Sequence, residues 1–259
     1  MSYPDVLHLP SVRTPKRNLF THVMDELGRR IVRGDLRPGD TLPNEADLGR
    51  ELGASRSVVR EAVKSLASKG LLNSRTRTGT SVLPPTHWNL LDLDVLNWRF
   101  AVMPRLQFYR ELFEIRGMIE PAAAALAAER ATAADLDVLS EAYRAMQAAD
   151  PAGTGAIEAD LHFHRSILSA CYNDLLVQMG GVIGVGLLTS FRITSRSYEV
   201  FLPMHGEVLD QIVARRPAEA RATMELLLVR TREFLERELA GNEAAEELEQ
   251  RRSAQTRRV

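Results

Sequence analysis

The sequence predicts a mainly α protein: an N-terminal winged helix-turn-helix of three helices and a small β-hairpin wing, followed by an all-α bundle. Three observations predict it. Apolar residues recur at intervals of three and four through most of the chain, which is the period of a helix with one buried stripe. Strand-like composition is confined to LLNSRTRTGTSVL, around a tip that contains glycine. The charge also changes sign along the chain. Up to Pro85 there are 14 Lys and Arg against 9 Asp and Glu, about +5, and beyond it 19 against 25, about −6. The overall −1 therefore hides a basic front suited to nucleic acid and an acidic back that is not.

Residues 1–17 are punctuated by proline and read as a flexible arm. From Asn18 to Arg33, Leu19, Val23, Leu27 and Ile31 stand four apart and Gly34 ends the run, a helix that floors the domain. RPGDTLP, residues 37–43, is a turn. Asn44 then caps a short second helix with Leu48 and Leu52 facing inward, and Gly53 breaks it. The third helix spans Ser55 to Gly70. Its apolar stripe is Val59, Ala62, Val63, Leu66 and Ala67, while Arg56, Arg60 and Lys64 form a separate basic stripe. Ser55 caps it, and the small Ser55 and Ser57 leave room for a phosphate at the free amides of the first turn. Two short helices joined by a tight turn, the second bearing the cations, make a helix-turn-helix. Leu71–Arg75 and Thr80–Leu83 would pair as the wing around Arg77, Thr78 and Gly79. Pro84 and Pro85 cannot continue a ladder, so the domain is read as 18–85.

Residues 86–100 read as a docked linker, with Trp88, Leu91, Val95 and Trp98 along one side. Residues 101–240 read as an all-helical ligand-binding and dimerisation domain. Its segments are Leu106–Arg130 with Pro121 inside, a helix capped by Thr132 that runs to about Ala148, Ile157–Cys171, Asp174 to about Thr194, Met204–Ala214, and Pro217–Leu239. The last residues, 241–259, are charged and read as a flexible tail.

Cys171 is the only cysteine, which excludes an intrachain disulfide and fits a reducing compartment. No apolar run is read as reaching the roughly 18 residues of a membrane helix, and the first residues lack the apolar core of a signal peptide. The expectation is a cytoplasmic protein with no membrane partner.

In ADLHFHRSIL, Asp160 and His164 are four apart and share a helical face, whereas His162 is rotated about halfway round. MHGEVLDQI adds His205 on another helix. By spacing alone these are either hydrogen-bonded polar residues or ligands of a metal. Arg116, four before Glu120, either makes an intrahelical ion pair or aims its fork of donors into a cavity, where it would suit a carboxylate. Ser190, Arg192, Arg196 and Tyr198 offer further polar groups. An Asp and two His with open positions can also activate water, so a metalloenzyme joined to a DNA-binding domain is one rival reading. Its general base would have to be Glu158 or Glu207, which nothing in the sequence positions. An architectural DNA binder whose bundle only dimerises is the other.

PGDTLPNEADLGRELGASRSVVREAVKSLASKGLL, followed by the Gly-tipped wing, resembles the winged helix of the GntR family of bacterial transcription regulators. The resemblance implies that Arg56 and Arg60 contact base edges and phosphates, that Ser55 contacts a phosphate, and that Gly79 brings the wing close to the minor groove. Ser57, Lys64, Arg77 and Thr78 complete the DNA-facing set. Ala46 stands where relatives often carry an arginine. EIRGMIEPAAAALAAERAT, DLHFHRSILSACYND and MHGEVLDQIVARRPAEARATM resemble the FCD domain, the effector-sensing bundle of the FadR branch of that family. That resemblance implies a divalent cation, zinc or nickel, held by one Asp and three His, with a carboxylate effector completing the coordination. Asp160, His164 and His205 fall at three of those positions, and Leu227 stands at the fourth. Arg116, Asp160, His164, His205, Ser190 and Arg192 would then surround the effector. The linker resembles that of a sugar-acid-responsive member, which favours a hexonate. The function implied is a regulator and not an enzyme: a homodimeric repressor on a double-stranded, inverted-repeat operator, released by a small carboxylate.

Overall fold

A computed structural model of the chain describes residues 19–75, 79–151 and 153–256, without the side chains of 74, 75, 192, 196 and 242–256. The arm read over residues 1–17 and the wing-tip residues Arg77 and Thr78 lie outside the described residues. The chain is mainly α and divides between Pro104 and Arg105 into two units, each with its own core.

The front unit contains α1 (Leu19–Arg33), α2 (Glu45–Leu52), α3 (Arg56–Ser68), β1 (Leu72–Arg75), β2 (Gly79–Val82) and α4 (Leu93–Val102). The stripes read from the sequence meet here: Val23, Leu27 and Ile31 of α1, Leu48 of α2, and Val59, Ala62 and Leu66 of α3 are buried in one cluster. Local chemistry sets the helix ends. Asn44 Oδ1 accepts from the Ala46 and Asp47 amides at 3.0 Å, and Ser55 Oγ accepts from the Val58 amide at 3.4 Å. Between them Gly53 turns the chain with φ 63°. β1 and β2 are antiparallel, with Leu72 opposite Val82 and Arg75 opposite Gly79. Gly70 has φ 78°, and a Cβ there would lie 2.1 Å from the His87 carbonyl oxygen, so the chain passes only because that position is bare.

The stretch read as a linker is docked, and its last part is α4, which packs on α1. Trp98 is 2% exposed, and its indole donates to Asp25 Oδ1 at 3.2 Å. Gly28 makes the room, since a Cβ there would stand 2.6 Å from the indole ring. Lys69 pairs with Asp92 and Asp94 at 2.8 and 2.7 Å. Val95 is buried as its spacing suggests, but Leu91 is 57% exposed. The reason is that Asp92 caps α4, so Leu91 precedes the helix and is off its stripe. Pro84 and Pro85 lead only into a short 3₁₀ turn at Pro85–His87, and the chain divides later, at Pro104.

The second unit contains α5 (Arg105–Arg130), α6 (Ala133–Ala148), α7 (Thr154–Ala170), α8 (Asp174–Thr194), α9 (Tyr198–Val213) and α10 (Pro217–Thr256). α5 packs against α7, α8, α9 and α10, and its alanines Ala123, Ala124, Ala127 and Ala128 are buried. Thr132 and Asp135 form a capping box that opens α6. Three readings are corrected. α9 starts at Tyr198 instead of Met204, because its buried stripe of Tyr198, Phe201, His205, Leu209 and Ile212 runs past Pro203, which lies on the exposed side. α10 stays helical to Thr256, through the stretch read as a flexible tail, although Leu239 is its last buried apolar residue among those with described side chains. An apolar stretch of membrane-spanning length is also present: Asp174–Phe191 of α8, 18 residues of mean hydropathy 1.5, is long and apolar enough to cross a membrane. Here it packs against α5, α7 and α10, and a Cβ at Gly186 would come within 2.5 Å of Leu112. Close packing in the bundle accounts for that composition.

Candidate DNA-reading face and effector pocket

α3 buries its apolar stripe in the front unit, which leaves Arg56, Ser57, Arg60 and Lys64 on the exposed side, within about two and a half turns of the Ser55 cap. Ser55 Oγ and Ser57 Oγ lie 3.0 Å apart at the opening turn. Lys64 donates to Glu61 at 2.8 Å, and Arg60 pairs with Glu45 of α2. Gly79, at φ 85°, starts β2 beside Thr41. The structure thus brings Ser55, Arg56, Ser57, Arg60 and Lys64 onto one helix face, and Arg77 and Thr78 lie outside the described residues.

The second unit carries its polar residues inside. α7 holds Asp160 and His164 on one face, as the spacing requires, and turns His162 to the exposed side. α9 brings in His205. Asp160 Oδ1 lies 3.2 Å from His205 Nε2 and 3.7 Å from His164 Nε2, and the two Nε2 atoms are 3.3 Å apart. The far side of each ring explains why. His205 Nδ1 lies 2.8 Å from the Phe201 carbonyl, which can only accept, so Nδ1 carries the proton. His164 Nδ1 lies 2.5 Å from Glu120 Oε2. Burial alone would raise the Glu120 pKa, but the charges of Arg116 and His164 and their hydrogen bonds hold it down to about 2. An ionised carboxylate at that range is met by an N–H. The two Nε2 atoms converge with Asp160, where burial would raise the carboxyl pKa but a hydrogen bond from His205 and the charges of His164, His205 and Arg116 hold it below its usual value. Asp160, His164 and His205 each bring one ligating atom within 4.8 Å of the others, a buried set with the donor chemistry of a divalent-cation site. Phe163 lies edge-on to both imidazoles.

Arg116 makes the intrahelical ion pair with Glu120 and is also among the residues lining a cavity. It is 2% exposed; Nε donates to Glu120 Oε1 at 2.5 Å, while Nη1 is buried with no hydrogen-bond partner among the described residues. The cavity is lined by Arg116, Asp160, His164, His205, Ser190, Tyr198 and Leu227. Ser190 Oγ donates to the Gly186 carbonyl at 2.7 Å, and Tyr198 donates to that of Met146 at 2.8 Å. The Arg192 and Arg196 side chains lie outside the described residues. The sequence reading missed Glu120 as a site residue. Its i, i+4 relation to Arg116 was visible, but the approach of α7 that brings His164 to it was not. Glu158 and Glu207, the bases an enzymatic reading would need, are exposed.

The model for bacterial regulatory proteins of the gntR family matches residues 19–82, and that for the FCD domain matches residues 111–230. The chain is 36% identical over 162 residues to the galactonate operon transcriptional repressor of Escherichia coli K12, a match covering 62% of this chain and 71% of that one. It is 31% identical over 208 residues to the uncharacterised HTH-type transcriptional regulator YieP of the same organism, covering 76% and 87%. Among solved structures, Lar, described as controlling expression of the Listeria monocytogenes agr system, has the same fold with a TM-score of 0.61 at 20% identity, covering 85% of this chain and 98% of that one. These relatives are regulators, which sets aside the enzymatic reading. A winged helix with its cations outward, joined to a bundle of the FCD type, places the chain in the gntR family of bacterial transcription regulators, in its FadR branch.

Proposed function

We propose that the chain acts in the cytoplasm as a homodimeric repressor whose two winged helices read an inverted-repeat operator and release it when a small carboxylate, a sugar acid of the hexonate type, enters the bundle. Arg56, Arg60 and Lys64, with Ser55 and Ser57 at the cap and Arg77, Thr78 and Gly79 on the wing, are the DNA-facing set. Two recognition helices on a two-fold axis would meet half-sites about one helical turn apart. The observation that carries the effector reading is the unpartnered Nη1 of Arg116 in a buried cavity beside Asp160, His164 and His205. A buried guanidinium with a free N–H is costly unless an anion reaches it. The hexonate is favoured by the similarity to the galactonate repressor.

The convergent donor set fits a divalent cation, zinc or nickel, with Asp160, His164 and His205 as its ligands and Leu227 at the position that would otherwise supply a fourth. Such an ion supplies a Lewis-acid anchor for a carboxylate. The chain does the rest: Glu120 and the Phe201 carbonyl hold the imidazole tautomers, Arg116 offers Nη1, and Ser190 and Arg192 complete the effector set. Occupancy then alters DNA affinity by the difference in effector affinity between the two arrangements of the dimer.

Thermal-shift screening of hexonates, with and without chelator, followed by operator-release titration, tests the reading. A hexonate should raise the melting temperature and release DNA, and chelation should weaken both effects. His205→Ala should blunt release while leaving operator affinity of the effector-free protein within about twofold. Release unchanged in that variant would put the pocket elsewhere, and no release by any small acid would leave a bundle that only dimerises.

A further inference from the structure

A carboxylate stands inside the basic face of the front unit. Glu45 is the first residue of α2, where an acid is favourable for the helix dipole alone. That accounts for its charge and not for its partner. Glu45 takes one edge of the Arg60 guanidinium: Nε lies 3.0 Å from both carboxylate oxygens, and Nη2 lies 2.8 Å from Oε2. The hydrogen bonds from Arg60, helped by the charges of Arg56 and Lys64, hold the Glu45 carboxyl below its usual range. With side chains 57% and 37% exposed, the pair adds little to folding stability.

Its geometry has a different use. Arginine reads guanine through two parallel N–H bonds to O6 and N7. With Nε and the near side of Nη2 engaged, Arg60 keeps Nη1 and the outer N–H of Nη2, an end-on fork that is no longer free to swing toward a phosphate. The carboxylate also offsets one positive charge of the face, which weakens the sequence-independent attraction to the backbone.

We propose that Glu45 is a specificity-determining residue that clamps Arg60 end-on toward a base edge and subtracts one charge from non-specific binding. This rests on Arg60 as a base reader. The test uses full-length protein with Glu45→Gln, Arg60→Ala and the double variant, on an operator selected by the wild type and on a random duplex, across a salt series. Glu45→Gln should bind the random duplex several-fold more tightly, with a salt slope steeper by about one, and should lower the operator-to-random ratio about tenfold. In the Arg60→Ala background the same change should still steepen the slope but leave the ratio alone. Glu45→Ala should reproduce the loss, and unchanged melting temperatures would show that it is not a folding effect. An unchanged ratio in Glu45→Gln, or an equal drop without Arg60, overturns the clamp. Arg60→Ala that keeps full discrimination also overturns it while operator binding stands. A wild type that selects no site overturns both.

Discussion

The two units hold their charges in opposite ways. On α3, Arg56, Arg60 and Lys64 stand in solvent, with Arg60 answered by the partly exposed Glu45 and Lys64 by the exposed Glu61. In the bundle, Arg116, Glu120 and His164 are each 2% exposed and are answered by one another and by Asp160 and His205. Exposed pairs are cheap because water competes for both partners, whereas buried ones carry a desolvation penalty that each partner must offset. The front face can therefore be altered with little effect on folding and a large effect on what it grips. The buried cluster should behave the other way.

The largest expected effect tests the buried side. Glu120→Ala leaves Arg116 charged and without its counter-ion, and should cost about 3–5 kcal/mol in urea denaturation. A loss below about 1 kcal/mol would mean that water already reaches the cluster and would remove the contrast. Burial, not location, is the governing variable, so a packed position in the front unit should also be sensitive. Gly28→Ala places a methyl 2.6 Å from the Trp98 ring and should cost about 1–3 kcal/mol of stability. Loss of the Trp98 emission shift on folding at lower denaturant would report it. Arg60→Ala should remove about 1–3 kcal/mol of operator binding while changing stability by less than about 0.5 kcal/mol. A stability loss as large as the binding loss would erase the distinction between the two regions.

The smallest effect lies between these extremes. Asp135→Ala breaks the capping box of α6 and should cost about 1 kcal/mol. Partial burial pushes the Asp135 carboxyl up, but hydrogen bonds from Thr132 and Tyr172 hold it below its usual value. Its contribution is then complete above the unfolded value of about 3.9 and fades as pH falls through the lowered one. Wild type and Asp135→Ala should therefore differ at neutral pH and converge in acid, which paired denaturation curves would show.

Much of the fold was legible because its signals are local. Asn44, Ser55 and Thr132 cap helices within three residues of themselves, and the stripe Val59, Ala62, Val63 and Leu66 declares its buried side by period alone. The pairing of Asp160 with His164 is likewise a matter of one helical turn. The second role of Glu120 and the dual role of Arg116 were not legible, since both depend on how α7 and α9 lie against α5. The docking of Trp98 over Gly28 is of the same kind: the linker pattern announced burial and could not name the partner.

The sequence by itself determined the helices, their caps, the basic stripe of α3 and the spacing that puts two ligands on one face, because hydrogen bonds and side-chain periods within a few residues decide these. Only the tertiary structure decided that two imidazoles, a carboxylate and an arginine with a free N–H converge in one cavity, and that Glu45 grips Arg60. Those outcomes depend on long-range packing, where the burial of apolar stripes brings distant polar groups together and the cost of leaving them unpaired selects their geometry.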